Sequence, residues 1–447
     1  MKPWRILRYA FCLTWILLSL VGCGAPAATP TEHVVQVVST STAQLASTPS
    51  LAATPSATAT PTTTLTPTPS ATASPAPTLT PTPSATASPT TTLTPTPIPT
   101  ETPDTRATET VVYPPFVAYT QITATGAEIF VLDTSTDPPR IYGLTETPGI
   151  ALRPRWSPDV QLIAYLYQGP RAEQFDLWLI DNAGGAQTRP ISDGGIEGLE
   201  DFCWSADSRY IVFHANDPER GDRDIFRIDI ESGKVVNLTE DYPFWDSDPA
   251  WSPNGEWIAF VSDRAAGGKE TDHIWLMAPD GSALQKLTDT AWEDVNPAWS
   301  PDSAEIAFIR WSFVPDDEGG PPGLWVTKAD GSDTRLVTEL NILGAGVDAP
   351  VWSPDGNWIA YQSGPPGEAD VYIIPAEGGD PVNVSNLPGH EYSISWSPDG
   401  RSLIFTNETD EDVRLYTATL GDNDIKPLLD TGGNGYGEWA PAFPARD

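Results

Sequence analysis

Residues 248–260 read DPAWSPNGEWIAF, and this stretch decides the fold. Asp248 to Ser252 is a short strand, Pro253-Asn254-Gly255 a tight turn, and Trp257 to Ser262 a second strand. Proline presets φ in such a turn, and glycine reaches positive φ without a steric penalty. Further on, His273 to Ala278 reads as a third strand, and Asp280-Gly281 signals a hairpin into a fourth ending near Leu287. The unit recurs. Trp156, Trp204, Trp251, Trp299, Trp352 and Trp396 each open a variant of Trp-Ser-Pro-Asp-Gly, at intervals of 48, 47, 48, 53 and 44 residues. Nine positions after each comes an aromatic: Tyr165, Phe213, Phe260, Phe308, Tyr361 and Phe405. The third strand returns as DLWLID at 176–181, DIFRID at 224–229, GLWVTK at 323–328 and DVYIIP at 370–375. A repeat of this period, made of four short strands, matches one propeller blade. No stretch has sustained helical periodicity, so the reading is all-β.

The two ends of the repeat array are each half a blade. Phe116 to Tyr119 is a second strand and Glu128 to Val131 a third, with position 110 as the vacant first-strand slot. Pro441-Ala442-Phe443 resembles Pro249-Ala250-Trp251, and Phe443 lies 47 residues after Trp396. The expectation is that a C-terminal strand completes the blade that the N-terminal strands begin. That gives seven blades, with six as the alternative count, and leaves no open sheet edge in the ring.

Residues 1–22 read as an export signal. Lys2, Arg5 and Arg8 precede an apolar run from Tyr9 to Val21, too short to span a bilayer comfortably. The run ends Leu20-Val21-Gly22-Cys23, which resembles the bacterial lipoprotein box. The resemblance implies acylation of Cys23 and anchoring by lipid, outside the cytoplasm, at the periplasmic or outer surface of the cell envelope. Residues 23–110 are almost all Thr, Pro, Ser and Ala, and LTPTPSATASP occurs at both 65–75 and 79–89. Such a composition buries too little apolar surface to offset chain entropy, so it reads as a disordered stalk. Extended polyproline geometry would let it reach roughly 270 Å. The propeller then occupies 111–447.

The formal charge of the chain is −36, and residues 1–109 are balanced, so the whole excess lies on the propeller. Nucleic acid and anionic headgroups are therefore excluded as partners, while a basic protein face or a cation is favoured. Only Cys203 remains after the signal and Cys23, so no intrachain disulfide is expected.

WSPNG, WIAF, HIWLM, PDGS and KLT, between Trp251 and Thr288, resemble the repeat of TolB-like propellers, a WD-like β-propeller class. The resemblance covers about residues 111–447. Val160, Ser208 and Ser303 depart from it at the turn glycine, Ala206 at the proline, and Arg414 where other blades carry an aromatic. TolB itself has an α/β domain before its propeller and acts in the Tol–Pal envelope system. Here the Thr/Pro-rich segment stands in that place, so only the fold is carried over.

In a meander blade the short Trp-Ser-Pro-Asp-Gly turns lie on one face and the connections between blades on the other. The second face collects aromatics beside carboxylates: Trp245, Asp246 and Asp248; Trp292, Glu293 and Asp294; His390 and Tyr392; Glu438 and Trp439. Loops on a rigid scaffold are where recognition resides. Aromatics beside acids can stack on a sugar or grip a basic peptide, so this acidic face is the candidate binding site, for an unidentified envelope protein or glycan. The plainer reading makes these aromatics gap fillers between blades.

Catalysis has little support. There is no Gly-x-Ser-x-Gly elbow, and the chain is read as ending with its propeller, without an appended hydrolase domain. His214, His273 and His390 fall in three different blades. Some TolB-like propellers are polysaccharide lyases with a histidine-rich metal site, which makes a carbohydrate-active enzyme at the channel mouth the alternative. The expectation is a monomeric, non-catalytic binding module without metal or cofactor.

Overall fold

The computed structural model describes residues 111–444 apart from 113, 147, 173, 183–197, 200, 218–219, 241–243, 265–270, 312–320, 342–347, 366 and 422–423. The signal segment, Cys23 and the stalk lie outside the described residues, as do Glu219 and Asp316 to Glu318.

Among the described residues the regular structure is entirely β, arranged as seven blades. Blade 1 contains Gly149–Trp156, Leu162–Gln168 and Asp176–Asp181. Blade 2 contains Phe202–Trp204, Tyr210–Asn216, Arg223–Asp229 and Val235–Asn237, and blade 3 Asp246–Trp251, Ile258–Ser262, His273–Met277 and Gln285–Lys286. Blade 4 is Glu293–Trp299, Glu305–Trp311, Gly323–Lys328 and Arg335–Glu339. Blade 5 is Val351–Trp352, Trp358–Ser363, Asp370–Pro375 and Val382–Asn383, and blade 6 His390–Trp396, Ser402–Glu408, Val413–Thr419 and Asp424–Pro427. Blade 7 is shared: Asn434–Trp439 from the C-terminal end pairs antiparallel with Phe116–Thr123, followed by Gly126–Asp133 and Arg140–Gly143. A further short pair, Val111–Val112 with Phe443–Pro444, joins the two ends beside this blade.

The recurring motif has a local cause. In each Trp-Ser-Pro-Asp-Gly turn the serine hydroxyl donates to the Asp or Asn two residues on, at 2.8 Å for Ser157–Asp159 and 2.7 Å for Ser252–Asn254. The same Oγ accepts the backbone N–H five residues on, from Leu162 and Trp257 respectively, and so seals the first strand to the second. The turn position is left-handed whatever residue fills it: φ is 76° at Gly255, 58° at Val160, 60° at Ser208 and 62° at Ser303. The two serines use their place, since Ser208 Oγ accepts from Asp159 N–H and Ser303 Oγ from Asn254 N–H of the preceding blade's turn.

The core repeats with the blades. Each central strand's aromatic lies opposite an aromatic of the third strand, for example Tyr119–Phe130, Phe213–Phe226, Tyr361–Tyr372 and Phe405–Tyr416. The last pair corrects the expected gap at Arg414: the register puts Tyr416, not Arg414, in the aromatic slot. Each repeat tryptophan packs against the blade before it. Its indole N–H commonly donates to the residue preceding that blade's own tryptophan, as in Trp299 to Ala250 O and Trp352 to Ala298 O, both at 3.1 Å.

The closing blade brings a second correction. Trp251 lies opposite Ile258, two residues before Phe260, and Trp439 lies opposite Val117, two residues before Tyr119. Trp439 therefore occupies the slot assigned to Phe443. It packs with Val117, Tyr119, Ile404 and Leu415 across the joint between blades 6 and 7. No Trp-Ser-Pro-Asp-Gly turn follows it, because the chain crosses to the N-terminal strands at that point, and the motif that marks the slot elsewhere is missing.

Candidate functional site

First strands of successive blades touch one another, so they form the innermost ring of the fold. Three residues before its tryptophan, the first strand bulges in five blades, and φ turns positive: 53° at Arg153, 51° at Asp248, 55° at Asn296, 55° at Ser393 and 51° at Tyr436. The pairing register slips at the same places. A bulge redirects a side chain out of the strict alternation of a strand. It sets these five side chains at one level of the ring, with Asp201 at the equivalent position of blade 2.

Around that level the side chains form a continuous band. The His390 and Tyr392 rings lie 5.8 Å apart and tilted by 32°, those of Tyr392 and Tyr436 5.5 Å apart and tilted by 60°, and the Arg153 guanidinium lies 5.5 Å from the Tyr436 ring. Arg153 and Arg155 both reach Asp201, at 4.0 and 3.2 Å. The Arg155 and Asp201 side chains keep 43% and 38% of their surface accessible, although they lie on the innermost ring. Solvent therefore enters here. Beyond Asp201, the Asp248 N–H donates to His214 Nδ1 at 3.1 Å, and Arg223 stacks 4.9 Å from the Trp245 ring. The band thus crosses blades 6, 7, 1, 2 and 3.

Its charges are tuned by burial. Burial holds His214 well below the usual histidine range, with Arg223 adding to the effect, and His214 is neutral at pH 7. Burial also lowers His390, against the opposing fields of Asp348 and Glu408. The Tyr392 hydroxyl donates to Glu408 Oε2 at 3.0 Å, and burial pushes this phenol well above its ordinary value. Asp348 is exposed, and its Oδ2 accepts the Ser393 N–H at 2.7 Å. Glu438 accepts the Trp156 N–H at 2.7 Å, and burial lifts it to about 7 against the pull of Arg155.

The sequence candidates divide into two groups. Asp248, His390, Tyr392 and Glu438 belong to the band, and half-buried Trp245 flanks it through Arg223. The others lie within the packing. Asp246 is buried against Arg264, Asp294 is buried in a two-bond pair with Arg310, Glu293 and Trp292 are buried, and Trp439 fills the repeat slot. Arg153, Arg155, Asp201 and Asp348 escaped sequence reasoning. The first three lie one or three residues before a repeat tryptophan, and counting back from it would have found them. Among the described residues no three His, Cys, Asp or Glu side chains gather as a metal-binding group. None of their helices could cross a membrane.

No family model matches the chain. An uncharacterized protein of Agrobacterium fabrum, Atu1656, is 31% identical over 140 residues, which is 31% of this chain and 46% of that protein. The Tol-Pal system protein TolB of Francisella tularensis is 32% identical over 85 residues, 19% of this chain and 18% of TolB. These matches span less than half the length of either relative. Among solved structures, an oligogalacturonate lyase in complex with manganese superposes with a TM-score of 0.55 at 16% identity, covering 69% of this chain and 86% of the lyase. At that identity the likeness concerns the fold alone. Repeat motif, blade register and structural likeness agree on the fold: the chain is a β-propeller whose repeats resemble those of TolB-like propellers.

Proposed function

We propose that this propeller is a non-catalytic binding module of the bacterial cell envelope. The lipid on Cys23 would anchor it and the segment 23–110 would hold it away from the membrane. It binds a protein or glycan at the inner-strand mouth. The observation that carries this reading is the accessible band of aromatic and charged side chains from His390 through Tyr392, Tyr436 and Arg153 to Asp201. Rings packed side by side on a rigid scaffold offer large contact area at little entropic cost.

Affinity capture from envelope extract, paired with a glycan array, tests this with the full chain and its Tyr392→Ala/Tyr436→Ala double variant. A saturable partner retained by the parent and lost by the variant is the expected result. No tyrosine-dependent partner in either assay overturns the proposal, and a glycan that binds and is then cleaved replaces it with the enzyme reading.

A further inference from the structure

Within the band, charge and ring surface are unevenly distributed. At the Arg153 end, the two guanidinium groups have Asp201 and Glu438 beside them, and Arg153 already covers the Tyr436 ring. At the other end, His390 and Tyr392 present ring surface beside Asp348 and Glu408, and among the described residues no Lys or Arg is paired with either carboxylate. Asp348 is pinned by the Ser393 N–H, and Glu408 by the Tyr392 hydroxyl. His390 adds no positive charge at neutral pH, because burial keeps it deprotonated. The excess charge of −36 on the propeller deepens the local negative potential and draws cations toward it. An aromatic face flanked by fixed carboxylates and lacking its own cation is the physical description of a cation–π subsite.

We propose that the His390–Tyr392 end of the mouth, with Asp348 and Glu408, is a subsite for an alkylammonium group. A lysine side chain or free N-terminus of a partner polypeptide carries that group, and so does a small free amine. The subsite rests on the binding-module reading and names its ligand chemistry. Polyuronates are excluded by the same field that attracts the cation.

The test is equilibrium binding of the full chain to three probes: an acetylated, amidated peptide with a single lysine, free choline, and a neutral hexose oligosaccharide. The peptide is expected to bind. Tyr392→Leu should weaken it about tenfold, the equivalent of ~1.4 kcal/mol, while Tyr392→Phe keeps the ring and most of the affinity. Asp348→Asn should weaken it as well, and Asp280→Asn, in a third-to-fourth-strand turn, should not. Equal losses from Asp348→Asn and Asp280→Asn would reduce the effect to bulk charge and overturn the subsite. Choline binding as tightly as the peptide identifies a small amine as the source, and choline binding far more weakly identifies a polypeptide. Tyrosine-dependent binding of the oligosaccharide alone defeats the ammonium subsite and leaves the binding module standing. Loss of tyrosine dependence for every probe defeats both.

Discussion

Asp294 and Arg310 face each other across the first two strands of blade 4, with hydrogen bonds of 2.6 and 3.0 Å, and both are almost fully buried. The guanidinium also lies 4.3 Å from the Trp325 ring. Removing one partner of such a pair leaves the other charged and without water, so Asp294→Ala should cost about 3–5 kcal/mol in a chemical denaturation curve. The exposed pair Lys426–Asp424 is the control, and its loss should move the midpoint little. Glu391 poses the opposite problem. It is fully buried, accepting from Asn407 and from Ser385 with the Asp370 carboxyl beside it, and burial pushes it up to about 8. That value lies above the ~4.3 of an unfolded glutamate, so the stability its neutral form contributes is complete below about pH 4.3 and lost progressively as pH rises from there to about 8. Glu391→Gln carries no charge to bury. It should match the parent at about pH 4 and melt about 2 °C or more above it at pH 9 in thermal scans. From sequence Asp294 read as part of the candidate binding face, because Asp and Glu are rarely buried. One signal was available: Arg310 and Asn407 each lie two residues after the central aromatic, on the same second strand, directly opposite the acid.

At the scale of the strand, the inner bulge is the element that makes the mouth. Five residues of unlike chemistry, Arg153, Asp248, Asn296, Ser393 and Tyr436, share a left-handed backbone there. Such φ values cost an L-residue about 1–2 kcal/mol, and more with a branched β-carbon. Ser393→Gly should therefore hold or raise the melting temperature, and Ser393→Val should lower it. Equal melting of the two would show that the bulge stores no strain. The turn was legible because Ser, Pro, Asp and Gly each have a fixed job in it. The bulge was not, because its geometry is imposed by pairing with the second strand and leaves no common residue type behind. Phe443 was misjudged for a related reason: proline and an aromatic imitated the motif, while Trp439 held the register without any turn after it.

For the whole molecule, closure rests on Asn434–Trp439 pairing with Phe116–Thr123, reinforced by Trp439 N–H donating to Ser395 Oγ and by Glu438 accepting from Trp156. Deleting everything after Leu429 bares the inner edge of blade 7 and removes Trp439 from the joint. The melting temperature should fall sharply and aggregation rise, and a truncated protein that melts like the parent would refute closure by this strand. The charge of −36 acts at the same scale: adding salt to about 1 M should raise the melting temperature by screening self-repulsion.

The repeat by itself determined blade type, blade number and the two-ended closing blade, because turn chemistry and strand periodicity are local and recur in register. Only the tertiary structure decided which acids are spent on burial and which stand at the mouth. Asp246 and Asp294 are neutralised by arginines just after or on the neighbouring strand, whereas Asp348 and Glu408 meet backbone and tyrosine instead. That division depends on how seven blades converge on one axis, a long-range geometry that no single repeat encodes.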